Sequence, residues 1–278
     1  MIPAEFDYVA PASLDEALSA LAGGGEDAKV LAGGHSLIPL MKLRLAAPTL
    51  LVDLGRIDGL RGVQANGGLR IGAMTTHAEL EDDGSLGLLS RAAGTIADRQ
   101  VRHRGTIGGS LAHGDPASDL PAVLLAADGE VVARGPGGER TIRAADLFSD
   151  YLTTTLQPDE ILTEVRMPSL EGWGFGHQKF NRRREDWAMV GVCALVRASD
   201  GVCEDVRIGL TNMGSTPLRA RAAEEALRGQ PLDAERIEAA ADLAPEGTDP
   251  PGDLNATPDY KRHLARVLTR RALEEAAA

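Results

Sequence analysis

The chain is poor in several things, and each shortage removes a class of function. Only Cys193 and Cys203 occur in 278 residues, with no CxxC pair and no Cys/His ligand spacing, so no iron–sulfur or zinc site is expected and both thiols are read as buried. Aromatic residues make up 3%, so small aliphatic side chains must fill the core. Positive charge is in deficit: 29 Lys and Arg stand against 41 Asp and Glu, a formal net charge of -12, and a nucleic-acid partner, which needs a broad cationic surface, is excluded. No apolar run reaches membrane-spanning length and no charged segment followed by an apolar one opens the chain, which leads us to expect a soluble, cytoplasmic protein with no transmembrane segment. GxGxxG after a strand, GxxxxGK[ST], HExxH and GxSxG are all missing. That disfavours a Rossmann dinucleotide site, a nucleotide triphosphatase, a zincin and a serine hydrolase.

What the chain has in quantity is glycine, 32 residues, and two glycine pairs sit in similar settings. Lys29-Val30-Leu31-Ala32 reads as a short buried strand, Gly33-Gly34 as its end, and Ser36 as the cap of a helix from Leu37 to about Leu45 with Pro39 in its first turn. Strand, glycine turn and helix in that order aim free amides at an anion. The second pair lies in Thr106-Ile107-Gly108-Gly109-Ser110, followed by Asp115 and Asp119 and by a helix start at Leu120-Pro121. Glycine lets backbone amides approach a bulky anion, and the hydroxyls of Ser36, Thr106 and Ser110 are neutral donors that can hold a pyrophosphate without a lysine. One pair alone is weak evidence; two together suggest one ligand with two phosphates held between two lobes.

Elsewhere the spacing predicts a first helix capped by Ser13 with Glu16, a helix capped by Thr76 with Glu79, a helical stretch over Leu86 to Ala97, a basic turn over Arg99 to Arg104, and strands at 49–53, 60–63, 69–72, 130–133 and 161–165. Beyond Pro168 the pattern changes to strands, clearest over 189–196 and 206–210, and then to an alanine-rich helical segment with a strong start at Thr257-Pro258-Asp259. A domain boundary is placed at 168–173. Roughly 100 residues then remain, an ordinary size for a small second domain.

Ala32-Gly33-Gly34-His35-Ser36-Leu37-Ile38-Pro39, with Met41-Lys42-Leu43-Arg44 and Thr106 to Ser110 with Asp115-Pro116 and Asp119-Leu120-Pro121, resembles the FAD-binding medium subunit of molybdenum hydroxylases, the carbon monoxide dehydrogenase and xanthine dehydrogenase family. The resemblance implies an α+β chain. A two-lobed FAD-binding domain of PCMH type would span 1–170, with sublobes at about 1–55 and 56–170, and a small C-terminal domain with a three-stranded sheet and helices would span 171–278. It places the FAD pyrophosphate on Ala32, Gly33, Gly34, His35 and Ser36 and on Thr106, Gly108, Gly109 and Ser110. It further implies Asp119 on the adenosine side, apolar or backbone contacts from Ile96 and Leu162, and Lys179 near the flavin ring. Arg182-Arg183-Arg184 reads as a solvated turn or a docking surface, and Trp187 as a cover or a support for the ring.

The implied function is electron transfer through FAD, with no catalytic side chain and no metal site on this chain. Molybdenum cofactor would belong to a large partner subunit and iron–sulfur clusters to a small one, in a dimer of heterotrimers that delivers electrons to an external acceptor. A self-contained flavin oxidase and a flavin-free scaffold remain as alternatives.

Overall fold

The computed structural model describes residues 2–278. Its first lobe is a parallel sheet of Asp7–Val9, Leu50–Asp53 and Ala28–Leu31, in that order, with Val52 opposite both Val9 and Val30. Parallel neighbours need a crossover, and the helix Leu14–Gly24 supplies the first. Ser13 caps it by accepting the Glu16 amide, while Glu16 accepts the amide of Ala12, so the chain enters the helix at a fixed angle. Ala17 and Leu21, one helical turn apart, are thereby laid into a core with Val52 and Leu54.

The second lobe is a five-stranded antiparallel sheet in the order Val63–Ala65, Gly68–Gly72, Ile161–Pro168, Glu130–Gly135, Gly138–Arg143. Its central strand comes late in the chain. Helices between the strands cover one face, among them Leu88–Ala93 and Asp119–Ala126. All eight residues of Asp119–Ala126 are buried, and the apolar character of DLPAVLLA on every side explains this, since a helix without a polar face must be enclosed. It is enclosed because the C-terminal domain packs on its far side: the Cys193 thiol donates to the Ala122 carbonyl at 3.3 Å, and a side chain at Gly209 would fall on that same carbonyl.

The C-terminal domain has three long antiparallel strands, Gly174–Phe180, Val190–Ser199 and Val202–Thr211, extended at one edge by the two residues Leu218–Arg219. The helix Pro258–Ala276, capped by Thr257, lies across this sheet. Gly174 and Gly176 let it come close, for a Cβ at either would meet the carbonyls of Ala276 and Ala272. Cys193 and Cys203 are free and buried. No helix among the described residues is long and apolar enough to cross a membrane.

Four local expectations change. The stretch from Leu86 to Ala97 is interrupted by Gly87, at φ 55°, so a short turn over Gly84–Leu86 precedes the helix Leu88–Ala93. Arg99–Arg102 is a helical turn rather than an irregular one, because Asp98 accepts the Val101 amide. The strand expected at 60–63 lies at Val63–Ala65. The helix expected from Leu37 to Leu45 ends at Lys42: Arg44 turns left-handed at φ 58°, and its amide and that of Leu45 close back on Met41 and Leu40.

Candidate functional site

A cavity of about 540 Å³ opens where the two lobes and the C-terminal domain meet. Every residue that the resemblance assigned to the cofactor lines it, from Ala32, Gly33, Gly34, His35 and Ser36 through Ile96, Thr106, Gly108, Gly109 and Ser110 to Asp119, Leu162 and Lys179. Residues 147 positions apart in sequence, Ala32 and Lys179, thus share one wall system because the strand Gly174–Phe180 runs back across the second lobe.

The two glycine loops are not equivalent. After the strand Ala28–Leu31 the chain turns at Gly34, with φ 78°, and the amides of Gly33, Gly34, His35, Ser36 and Leu37 find no acceptor among the described residues. Ser36, expected as a helix cap, makes no capping bond and keeps its hydroxyl free. Five consecutive unsatisfied donors at a cavity wall form an anion-binding concavity.

In the second loop the amides from Ile107 to Ser110 are taken instead, and only that of Thr106 has no acceptor among the described residues. The amide of Ile107 donates to the Thr75 carbonyl, that of Gly108 to Ala73, that of Gly109 to the Thr106 hydroxyl and that of Ser110 to the Thr106 carbonyl. The expectation that these four amides face phosphate oxygens is therefore corrected: Thr106 is the cap of the helix Ile107–His113, and the Thr106 amide and the Ser110 hydroxyl are left to offer. Its glycines serve packing. A Cβ at Gly108 would meet Ala73, one at Gly109 the Thr106 hydroxyl, and one at Gly33 the Arg104 carbonyl, so the two loops touch backbone to backbone at Gly33.

At the other end of the cavity, Lys179 donates to Asp119 at 2.8 Å and to the Thr95 carbonyl at 3.0 Å. The resemblance put these two side chains at opposite ends of an extended ligand; they form one buried ion pair, since the helix that begins at Asp119 packs on the C-terminal sheet, whose edge strand carries Lys179. The second Asp119 carboxylate oxygen is buried with no partner. Burial pushes the Asp119 carboxyl up, against the pull of Lys179. Directly after Thr95 comes the turn Ile96-Ala97, with Ala97 held at φ 42°. Arg102 fixes it: the buried guanidinium donates to both of those carbonyls at 2.8 and 2.9 Å and pairs with Glu81. Arg102 was visible in the sequence only as part of a basic turn.

Asp115 holds its own turn by accepting the Ala117 amide, and it does not line the cavity. His113 lines it half-buried, its pKa lowered by burial against the pull of Asp115. Trp187, 58% exposed, stands at the rim with Glu185 and Asp186.

His77 and His177 are buried with an unpartnered Nδ1 each. Burial pushes His77 down to about 4, helped by His35 and Arg102, and His177 down to about 3, helped by Lys179 and Arg91. Both stay neutral in the folded chain while the unfolded chain takes up protons below about pH 6.5, so their contribution to stability is present above that pH and is lost as pH falls. Between pH 7 and pH 5 each should cost about 2 kcal/mol of unfolding free energy, read as a falling urea midpoint. His177→Gln should remove about half of that slope; a midpoint that stays fixed over this range would contradict the assignment.

The sequence of residues 4–170 matches the family described as FAD binding domain in molybdopterin dehydrogenase, and residues 176–276 match the CO dehydrogenase flavoprotein C-terminal domain. The chain belongs to the FAD-binding medium subunits of the molybdenum hydroxylases. It is similar to the carbon monoxide dehydrogenase medium chain of Hydrogenophaga pseudoflava, with 42% identity covering 100% of this chain and 99% of that one. The 6-hydroxypseudooxynicotine dehydrogenase complex subunit alpha of Paenarthrobacter nicotinovorans is 40% identical over 99% of this chain and 96% of its own. Among solved structures, a carbon monoxide dehydrogenase from Hydrogenophaga pseudoflava superposes with a TM-score of 0.96 at 44% identity, covering 99% of this chain and 98% of that one. As a member of this family the chain is an FAD-binding oxidoreductase subunit. Its own residues fit the cofactor: five free amides offer donors to a diphosphate, the orphaned Asp119 oxygen offers an acceptor, and the cavity has the volume of an ordinary cofactor pocket.

Proposed function

We propose that FAD is held in this cavity and that the chain relays electrons from iron–sulfur clusters on a small partner subunit to an external acceptor. A large partner subunit would carry the molybdenum cofactor, the whole forming a dimer of heterotrimers in the cytoplasm, with residues 1–170 as the cofactor-binding part and 171–278 as its C-terminal support. The observation that carries the reading is the run of unsatisfied amides from Gly33 to Leu37 on the wall of a cavity that also contains a buried, unpartnered carboxylate oxygen. An apolar ligand would leave both unsatisfied at a cost of about 1–3 kcal/mol per group, so the ligand must be anionic at one place and a hydrogen-bond donor at another.

FAD, when bound, supplies reversible electron transfer. The residues of this chain bind and orient. The amides of Gly33 to Leu37 and the hydroxyls of Ser36 and Ser110 would hold the pyrophosphate; Asp119 would accept from a ligand hydroxyl or ring N–H; Ile96 and Leu162 supply apolar wall. Lys179 pairs with Asp119 and opposes the upward push of burial on its carboxyl, and Trp187 narrows the mouth and limits water. No side chain is placed as a nucleophile.

The purified chain should show flavin absorbance, and acid should release FAD. A chain that stays colourless after reconstitution with excess FAD would overturn the proposal in favour of a scaffold, and rapid turnover of an organic substrate by this chain alone would favour a self-contained oxidase. Ser36→Ala with Ser110→Ala should weaken FAD binding about tenfold or more, since hydrogen bonds to a charged group are each worth about 1.5–3 kcal/mol; unchanged affinity would remove the pyrophosphate from this wall.

A further inference from the structure

A second concavity of about 330 Å³ lies behind the seam between the two glycine loops. Ala32 and Thr106 line both cavities, so a single thickness of backbone separates them. Three arginines, Arg56, Arg61 and Arg104, line the second, together with His103, and all four are exposed to solvent. In a chain whose net charge is -12, where most arginines around the fold meet a carboxylate, these three form no ion pair and donate no side-chain hydrogen bond among the described residues. The one carboxylate in the wall, Asp53, makes no ion pair with them: one oxygen accepts the Tyr8 hydroxyl and the other the Gly55 amide, and its single charge is outnumbered.

We propose that this concavity is a second anion site, one that takes a phosphate-bearing small molecule with at least two adjacent negative groups. Three arginines against the single carboxylate of Asp53 leave an excess of positive charge on this wall, and a polyanion relieves it. Guanidinium groups present paired N–H donors that match phosphate oxygens, which an ammonium cluster would not do with the same geometry. The concave shape favours a compact ligand over an acidic protein surface: 330 Å³ accommodates a diphosphate or the diphosphate end of a nucleotide, whereas a protein partner would need a broad, flat cationic face. The site does not depend on what fills the first cavity, though it shares a wall with it.

Calorimetric titration of the full chain, with saturating FAD and at low salt, tests this with inorganic pyrophosphate as the probe. One site should titrate without release of flavin. Each of Arg56→Gln, Arg61→Gln and Arg104→Gln should weaken binding about tenfold, and the triple variant should abolish it, while Arg236→Gln with Arg271→Gln, on the C-terminal domain, should leave it unchanged. Circular dichroism and retained flavin absorbance identify any variant that fails to fold, and the single variants then carry the comparison. Pyrophosphate affinity that is the same in the triple variant, or pyrophosphate that expels FAD in proportion to its own binding, would overturn the proposal, as would no binding at all. A parallel titration with ADP separates the two sources of the same chemistry: tighter binding than pyrophosphate assigns the site to a nucleotide, weaker binding to a free polyphosphate.

Discussion

Replacing Lys179 with methionine should destabilise the chain by about 3–5 kcal/mol, the usual cost of leaving one member of a buried ion pair without its partner. The pair qualifies because both side chains are buried, at 6% and 4% exposure, and because Asp119 has no second cation to turn to. The loss should depend on pH in a particular direction. Burial already pushes the Asp119 carboxyl up, and without Lys179 it would go higher still, so the folded variant prefers the protonated acid. A group whose pKa is raised in the folded state contributes stability at low pH and loses it as pH rises through the folded value. The deficit of Lys179→Met measured by urea unfolding should therefore be smaller at pH 5 than at pH 8. Lys179→Met combined with Asp119→Leu, which removes both charges, should recover most of the loss. A single-variant deficit below 1 kcal/mol, or one that grows as pH falls, would show that the pair is solvated and that Asp119 is not held for a ligand.

How much of this was legible beforehand differs between the two ends of the cavity, for a physical reason. Local chemistry is written in short stretches: Ser13 with Glu16, Thr76 with Glu79 and Thr257-Pro258 each specify a cap from neighbouring residues alone, and each is present. The strand and turn before Gly34 are local in the same way, and so is the fold class, because residue spacing changes at Pro168, where the central strand of the second lobe ends. The Asp119–Lys179 pair spans 60 residues and two domains, and nothing in either segment announces the other. The clamp of Arg102 on Ile96 and Ala97 is closer in sequence, yet it depends on a left-handed alanine that no propensity would predict. The asymmetry between the glycine loops was hidden for a further reason. Two similar patterns, Gly-Gly-His-Ser and Gly-Gly-Ser, differ in whether their amides meet carbonyls from elsewhere in the fold, and Ala73 and Thr75, which take the Gly108 and Ile107 amides, lie more than 30 residues upstream.

That asymmetry fixes which glycine matters most. Gly33→Ala should cost about 1–3 kcal/mol of stability through overpacking and should largely abolish FAD retention. A Cβ there would fall on the Arg104 carbonyl and within 2.8 Å of the Gly105 Cα, both backbone atoms, so the only relief is to part the two loops. Parting them displaces the very amides that have no other acceptor. Gly109→Ala meets a softer obstacle, the Thr106 hydroxyl at 2.8 Å, which can rotate away if the helix gives up its cap at a cost of about 1 kcal/mol. Gly34→Ala, whose Cβ would press on the flexible Ile38 side chain at 3.1 Å and whose φ is 78°, should cost about 1–2 kcal/mol, most of it backbone strain. Flavin fluorescence on dilution should therefore rank FAD loss as Gly33→Ala first and Gly109→Ala well behind, with thermal unfolding in the same order. If Gly109→Ala released its flavin while Gly33→Ala kept it, the cofactor would rest on the second loop and the free amides of the first would need another ligand.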